Sequence, residues 1–399
     1  MITTAVTLFA TVSACVALLA ALQHVTPGVT SSQQTFSSHL PGGRATTTFT
    51  GSTLLLPAPV LTGQSKTDFF AGRALAQQPW IKAPTTTTAR DGLGPIYNAR
   101  TCVQCHISGG SGIMPLSQEG TVSTAVLRLS IPSYNQTRAH SNMPEPVYGE
   151  QLQTQSTALS HQLRHLSLDR SPHEAQPEGY LTVHWESIHL EYPDGSVTTL
   201  RKPAISIAAL GYGNMHPETQ FSLRNAPLLA GMGLLEAIPE SAILANVDPD
   251  DLDADGISGR ANYIWEDNQK TLGRFGWKAN RSDLQNTVAA AFSQDIGITN
   301  SEFPLQPCTE TQQLCNAQLH GNDLPENVEL PDALLALTTH FTRHIGVPEG
   351  TSTESVELKR GERLFDTSNC TACHTPSVTT SGQGPLANQK IYPFSDMLL

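Results

Sequence analysis

The feature that most constrains this chain is a five-residue pattern, Cys-x-x-Cys-His, which occurs at residues 102–106 and again at 370–374. Two cysteines three positions apart lie on one side of a helical turn, and the next histidine can point its imidazole to that side. This arrangement suits two thioether bonds to one haem and one nitrogen ligand to its iron. The sequence therefore predicts two haem c groups. The predicted attachment residues are Cys102, Cys105, Cys370 and Cys373, and the predicted iron ligands are His106 and His374.

Two other readings of the cysteine pairs remain open. A haem-free dithiol redox pair would need a βαβ context and has no use for the histidine. A zinc site could take both pairs, but zinc-binding pairs usually lie far closer in sequence than these two do. Haem attachment uses all five positions of each match and is the interpretation that we favour.

The N-terminus predicts export. Residues 3–22 carry no charge and are mostly apolar, and the first basic residue is Arg44. A segment of this kind is a signal peptide or an uncleaved membrane anchor. We therefore expect a periplasmic protein, either released or anchored to the inner membrane through its N-terminus. An oxidising compartment also favours a disulfide between Cys308 and Cys315, with two free thiols as the alternative.

Composition narrows the class of partner. The net charge is −12 and hydrophobic residues make up 39% of the chain, which is enough to build a core. No Lys/Arg cluster of the nucleic-acid-binding type is present. Composition therefore gives no reason to expect a nucleic-acid partner. The two predicted haems, rather than the composition, lead us to expect an electron-donor protein, such as a small cytochrome.

The periodicity of apolar residues predicts a mostly helical chain that a β-rich insertion interrupts. Helical patterns begin near Lys66 and recur at 224–246, 283–295, 331–345 and 354–366. Residues 180–200 read as a hairpin, and the insertion spans about 120–213. The predicted organisation is a signal or anchor at 1–30, a linker at 31–64, a first haem domain at 65–345 and an incomplete second haem domain at 346–399.

The second axial ligand of the first haem decides between two roles. A distal Met or His would make an electron-transfer haem, whereas an open position would admit a substrate such as peroxide. The candidates are His140, Met143, Met215, His216 and Met232, each of which could instead be a core methionine or a surface histidine.

An acidic loop predicts a calcium site. Asp251, Asp253 and Asp255 alternate ahead of Gly256, which permits a sharp turn within a loop at 248–262. Carboxylate oxygens are the ligands that calcium prefers. The twelfth position of an EF-hand count is Asn262 rather than Glu, so the prediction is another type of calcium loop, with a solvated acidic turn as the alternative.

Around the two motifs, the sequence resembles the bacterial di-haem oxidoreductases that are classed as peroxidases and also labelled thiol oxidoreductases. The resemblance begins near residues 42–47 and continues to the end of the chain. Its strongest stretches are GLGPIYNAR at 92–100, LRNAP at 223–227, GLLEAIP at 233–239, DADGISGRAN at 253–262, GRFGWKA at 273–279 and DIGIT at 295–299.

The resemblance implies a fold and an activity. This family is distantly related to the di-haem cytochrome c peroxidases, which implies a mainly α chain with a helical, cytochrome c-like fold for each half. It also implies one haem that handles electrons, another that meets the oxidant, and calcium between the haem domains. Only residues 375–399 follow the second motif. We therefore expect a C-terminally shortened chain whose second haem domain is incomplete.

Peroxide chemistry needs a base to move a proton and a cation to stabilise the leaving oxygen. Arg224 and Glu236 are the candidates for these roles. The alternative is that Arg224 pairs with a haem propionate and that Glu236 is structural. Arg260 and Arg274 are further candidates for binding propionates. The two rival functions are a pure electron-transfer cytochrome and a haem-free dithiol oxidoreductase.

Overall fold

The structure is a computed structural model. It describes residues 40–49, 51–87, 90–117, 119–133, 143–158, 175–266, 269–322, 326–350 and 355–399. The predicted export segment and His140 lie outside these residues. No helix among the described residues has the length and apolar character needed to cross a membrane.

Eight α-helices are described. They are α1 (Gly63–Gln77), α2 (Cys102–Cys105), α3 (Met232–Glu236), α4 (Glu240–Leu244), α5 (Leu284–Ala291), α6 (Gln313–Asn316), α7 (Asp332–Arg343) and α8 (Val356–Thr367). Three 3-10 turns (Gly43–Ala45, Ile107–Gly109 and Cys370–Ala372) and a π-helical turn (Phe292–Ile296) accompany them. Helix α7 follows Pro331 and places Asp332 in its first turn and Arg343 in its last, where each charge favours the helix dipole.

Thirteen strands are described, and most of them are short. They are β1 (Thr46–Thr47), β2 (Ile96–Tyr97), β3 (Glu119–Thr121), β4 (Ala125–Ser130), β5 (Gln155–Ser156), β6 (Tyr180–Glu191), β7 (Val197–Ala208), β8 (Gln220–Asn225), β9 (Tyr263–Glu266), β10 (Gln269–Leu272), β11 (Val347–Pro348), β12 (Val378–Thr379) and β13 (Lys390–Ile391). The hairpin predicted at 180–200 is found as β6 and β7, joined by a turn in which Gly195 has a φ of 81°.

The prediction of a mainly α fold was wrong. Helix accounts for 25% of the chain and strand for 23%, so the architecture is not that of a cytochrome c. The described strands form six small sheets. Several sheets join segments that are far apart in sequence, and local periodicity does not reveal such pairings. A helix was predicted from residue 224, but residues 224 and 225 belong to β8, which pairs with β4 in antiparallel register, and helix α3 begins only at Met232.

The main core lies where α5, α7 and the π-helical turn meet. Trp80, Phe292, Leu284 and Leu335 are at most 1% exposed there. The Trp80 and Phe292 rings meet edge to face with their centroids 5.7 Å apart. This packing fixes one face of α5 and of the π-helical turn, and so positions the side chains on the other face.

Helices α1 and α7 pack closely at a glycine. A Cβ atom on Gly72 would fall well inside contact with the backbone carbonyl of Leu337 and would lie 2.7 Å from the Cβ of Phe341. The two helix backbones can approach this closely because Gly72 has no side chain.

The first and last described segments are joined directly. Strand β1 pairs in parallel with β11. The backbone N–H of Arg44 donates to Gln389 Oε1 at 2.7 Å, and the N–H of Tyr392 donates to the carbonyl of Pro41 at 2.8 Å. We call this contact, between residues 41–47 and residues 347–348 and 387–392, the terminal clamp.

Candidate functional site

The first Cys-x-x-Cys-His motif forms a single capped helical turn. Thr101 is the N-cap of α2, and its hydroxyl oxygen accepts the N–H of Gln104 at 3.1 Å. The N–H of His106 donates to the carbonyl of Cys102 at 2.9 Å. Cys102 and Cys105 are not joined to each other. The turn therefore presents two free thiols and one imidazole to the same side.

His106 is held by a backbone carbonyl. Its Nδ1–H donates to the carbonyl oxygen of Pro227 at 2.7 Å. Burial lowers the pKa of His106, although the bond to Pro227 and the nearby Asp295 oppose this shift. The ring is therefore neutral at pH 7 with its proton on Nδ1, which leaves the Nε2 lone pair available to a metal.

The two thiols are protonated. Burial raises the pKa of Cys102 and of Cys105 to about 12, and the neighbouring carboxylate of Asp295 adds to both shifts. A thiolate, rather than a thiol, is the species that exchanges with disulfides or binds zinc. In the absence of a metal, this environment therefore disfavours a dithiol that exchanges with disulfides.

A cavity of about 270 Å³ opens beside the motif. Strands β4 and β8, helices α5 and α7 and the π-helical turn all contribute to its wall. Its apolar lining includes Val126, Leu229, Leu284, Val288 and Phe341. We call it the first cavity.

The residues around the first cavity fit a haem c. The thiol pair, the oriented histidine and the apolar wall would supply attachment, axial ligation and a lining for the porphyrin. The polar part of the wall includes three arginines, Arg128, Arg224 and Arg281, and the carboxyl of Asp295.

Asp295 is a functional candidate that the sequence analysis missed. It lies on the π-helical turn, lines the first cavity and is partly buried. Its Oδ1 accepts Gln151 Nε2–H at 2.8 Å. Burial raises the pKa of this carboxyl. One signal was available in the sequence, because residue 295 begins one of the stretches that carry the family resemblance. A second signal was not: π-helical turns often occur at functional sites, but the sequence does not reveal this turn.

Arg224 and Glu236 are not brought together. Arg224 lines the first cavity, whereas Glu236 lines a second cavity of about 430 Å³ with Arg274, Arg343 and His344. Glu236 accepts Arg343 Nε–H at 2.5 Å and Nη2–H at 3.1 Å, and it also accepts the N–H of Leu284 at 3.0 Å. Burial, the largest single influence, would raise the pKa of Glu236, but the hydrogen bonds from Arg343 and Leu284 and the charges of Arg343 and Arg274 together hold this pKa below its usual value. These contacts suit a structural role for Glu236.

The other propionate candidates face elsewhere. Arg274 donates from Nη1 to the carbonyl of Ile238 at 2.6 Å. Arg260 donates from Nη2 to the carbonyl of Pro249 at 2.5 Å. Neither arginine is among the residues that line the first cavity.

Only one of the described distal candidates, Met232, lines the first cavity. Met143 is 51% exposed, and Met215 packs against the core between β4 and β6. His216 Nδ1 accepts the N–H of Glu218 at 3.2 Å. His140 lies outside the described residues.

The second motif repeats the geometry of the first in a more open setting. The N–H of His374 donates to the carbonyl of Cys370 at 2.9 Å, and its Nδ1–H donates to the carbonyl of Phe394 at 2.9 Å. The Phe365 ring lies 5.9 Å from the imidazole. His374 and Cys373 are exposed. The attachment residues fit a haem, and the described surroundings would leave much of its ring uncovered.

The acidic loop gathers a different trio from the predicted one. Oxygens of Asp248, Asp251 and Asp253 lie within 4.8 Å of one another. Asp248 Oδ1 is buried and accepts no hydrogen bond among the described residues. Asp255 Oδ1 instead accepts the N–H of Ile257 at 2.8 Å.

Cys308 and Cys315 form a disulfide. The loop that they close docks on the β-rich region, because Gln312 Nε2–H donates to Glu178 Oε1 at 2.5 Å and Thr309 Oγ1–H donates to the carbonyl of Val147 at 2.8 Å.

Comparison with known proteins gives one match. A sequence model of the family described as "Di-haem oxidoreductase, putative peroxidase" covers residues 37–399. No curated protein and no solved structure matches the chain. The resemblance noted from the two motifs and the stretches around them is confirmed.

Proposed function

The chain belongs to the di-haem oxidoreductase family, and on that premise we propose that it is an exported, peroxidase-like enzyme that passes electrons between two covalent haems to an oxidant such as peroxide. The observation that carries this proposal is the repeated attachment turn. Each of its two histidines donates Nδ1–H to a backbone carbonyl and keeps Nε2 for iron. A haem in the first cavity would supply one-electron chemistry at its iron.

The first cavity is the proposed meeting point with the oxidant. Its lining includes the carboxyl of Asp295. A carboxyl can take a proton from a bound peroxide and return it to the leaving oxygen. Asp295 therefore replaces Glu236 as our proposed acid and base. Its role is tested by peroxide turnover of Asp295→Asn, with Asp283→Asn, on the exposed end of α5, as the control.

Met232 decides between the enzyme and the pure electron-transfer cytochrome. Its thioether lies in the cavity lining, where it could close the distal position of the first haem. A low-spin iron in the resting protein that becomes high-spin in Met232→Leu would favour the carrier. A high-spin iron that is unchanged by this substitution, and that reacts with peroxide, would favour the enzyme.

The haem-free dithiol alternative is the weaker proposal. The pKa of about 12 for Cys102 and Cys105 leaves almost no thiolate at pH 7, and thiolate is the reactive form.

The central experiment is a count of covalent haem. The full chain is expressed in a host with c-type maturation, and haem per chain is measured by denatured absorbance and by intact mass. We expect two haems in the wild type, and one in each of the double variants Cys102→Ala/Cys105→Ala and Cys370→Ala/Cys373→Ala. A wild-type chain without covalent haem would overturn the proposal and revive the dithiol and zinc alternatives.

Calcium is a further part of the proposal. We propose that Asp248, Asp251 and Asp253 bind it, because their oxygens converge and one buried oxygen of Asp248 has no other partner. Calorimetry with calcium should detect binding that Asp253→Asn abolishes and Asp255→Asn leaves in place. Binding that depends on Asp255 instead would contradict this assignment.

Export and the electron donor complete the proposal. The apolar segment at 3–22 would direct the chain to the periplasm, where it is released or stays anchored, and cell fractionation tests this. The charge of −12 favours a donor with a basic face, such as a small cytochrome. Reduction by a basic cytochrome should then slow as salt concentration rises.

A further inference from the structure

Strand register places two of the cavity arginines on one face of a sheet. In the β4–β8 pair, Val126 lies opposite Arg224 and Arg128 lies opposite Ser222. Alternate residues of a strand share a face, so Arg128, Val126 and Arg224 all point to the same side. All three line the first cavity, and Arg281, which precedes α5, joins them there.

The three guanidiniums have unequal partners. Arg128 Nη2 lies 3.5 Å from Glu150 Oε2, and its Nη1–H donates to Gln151 Oε1 at 3.0 Å. Arg224 Nε–H donates to the hydroxyl of Ser222 at 3.2 Å. Within the described part of the chain, neither Arg224 nor Arg281 has a carboxylate oxygen within 4.0 Å.

Among the described lining residues, these three guanidiniums outnumber the carboxyls, of which Asp295 is the one present. Burial lowers the pKa of Arg224, and repulsion from Arg128 adds to the shift. Burial also lowers the pKa of Arg281, with Glu150 and Glu266 opposing it and Arg128 adding to it. Partly buried guanidiniums that face a cavity are stabilised most by anions with which they can form paired hydrogen bonds, and carboxylates match their geometry.

We propose that Arg224 and Arg281 bind the two propionate carboxylates of the first haem, with Arg128 and its partner Glu150 completing that wall. This inference rests on the proposed haem occupancy of the first cavity. It assigns an orientation to the haem, with its propionate edge against β4, β8 and the segment before α5. Arg260 and Arg274, the candidates from sequence, are left out of this role.

The reduction potential of the first haem reports on this contact. An arginine beside a propionate cancels negative charge that would otherwise stabilise the ferric iron. Removing the guanidinium should therefore lower the potential. An uncompensated unit charge in a partly desolvated site shifts an equilibrium on the order of tenfold, which corresponds to about 59 mV for a one-electron couple.

The test is a redox titration of the full di-haem protein. Arg224→Gln and Arg281→Gln should each lower the reduction potential of the first haem by about 59 mV, which corresponds to a tenfold change in the equilibrium constant. The potential of the second haem should not change. Arg224→Lys keeps the positive charge, so its potential should remain close to that of the wild type. Arg201→Gln is the matched control, because Arg201 is exposed on β7 and stacks over Trp185.

Two further measurements make each outcome decisive. The number of haems per chain is counted first. A wild-type protein without haem would mean that the proposed function, rather than the propionate assignment, has failed. If two haems are bound and both glutamine variants have unchanged potentials, the propionate assignment is overturned but the proposed function is not. Acetate is then titrated into the oxidised wild type at constant ionic strength, and no spectral change is expected. A saturable change that Arg224→Gln abolishes would show that the wall binds a diffusible carboxylate instead, and would also overturn the assignment.

Discussion

The close contact between α1 and α7 supports a quantitative prediction about Gly72→Ala. The added Cβ would press into the carbonyl of Leu337 and would lie 2.7 Å from the Cβ of Phe341. Both contacts involve atoms at or next to a helix backbone, so no flexible side chain can move aside. The helices would have to separate or rotate.

The magnitude follows from two opposing effects. Overpacking a close contact typically costs about 1–3 kcal/mol, and a backbone clash belongs at the upper end of that range. Alanine is favoured over glycine within a helix by about 0.5–1 kcal/mol, which offsets part of the cost. We therefore expect the free energy of unfolding to fall by about 2 kcal/mol.

Gly361→Ala is the matched control. Gly361 lies inside α8, and a Cβ there would meet no heavy atom within 4 Å. The same chemical change should therefore leave stability unchanged or raise it by up to about 1 kcal/mol. Urea unfolding of the haem-loaded proteins measures both. Because α7 contributes Thr338, Phe341 and Thr342 to the first cavity, the haem absorbance should also shift in Gly72→Ala. A Gly72→Ala protein as stable as Gly361→Ala would refute the reasoning.

Three other predictions concern separate parts of the fold. The side chain of Asp283, the N-cap of α5, accepts the N–H of Asn286 at 2.8 Å. Asp283→Ala should therefore lower the free energy of unfolding, measured by thermal unfolding, by about 1 kcal/mol, whereas Asp283→Asn should be nearly neutral. Replacing Cys308 and Cys315 with serine opens a loop with a sequence separation of 7 and should lower the free energy of unfolding in urea by about 2–3 kcal/mol. A reductant should destabilise the wild type but not this variant. Burial lowers the pKa of His344 from 6.5 to about 4, so between these values the unfolded chain binds a proton that the folded chain does not. The free energy of unfolding should therefore be highest above pH 6.5 and should decrease as the pH falls towards 4. In His344→Gln this decrease should be about 2 kcal/mol smaller than in the wild type. Equal slopes in the two proteins would contradict this reasoning.

Local features of the fold were predictable from the sequence. The two attachment turns depend on spacing within five residues. The helices predicted over 331–345 and 354–366 are found as α7 and α8. The predicted hairpin is also found, because alternating residues and a Pro-Asp-Gly turn are local signals.

Long-range pairings were not predictable, and they explain both the error in fold class and the missed site residues. The β4–β8 pair brings Arg128 beside Arg224, although about a hundred residues separate them in sequence. Asp295 and Arg281 reach the same cavity from either end of α5. Arg224 and Glu236 were proposed as a pair because of their chemistry, yet the chain changes from strand to helix between residues 225 and 232, and the two side chains line different cavities.

The terminal clamp also has a consequence for the order in which the protein can be completed. Arg44 is paired with residues 387 and 389, so its partners are synthesised long after Arg44 itself. During translation, residues 41–47 must remain without these contacts while more than three hundred residues emerge. Both Cys-x-x-Cys-His motifs are already synthesised before the clamp can close. The proposed haem attachment at either motif can therefore precede the contact that joins residues 41–47 to residues 387–392.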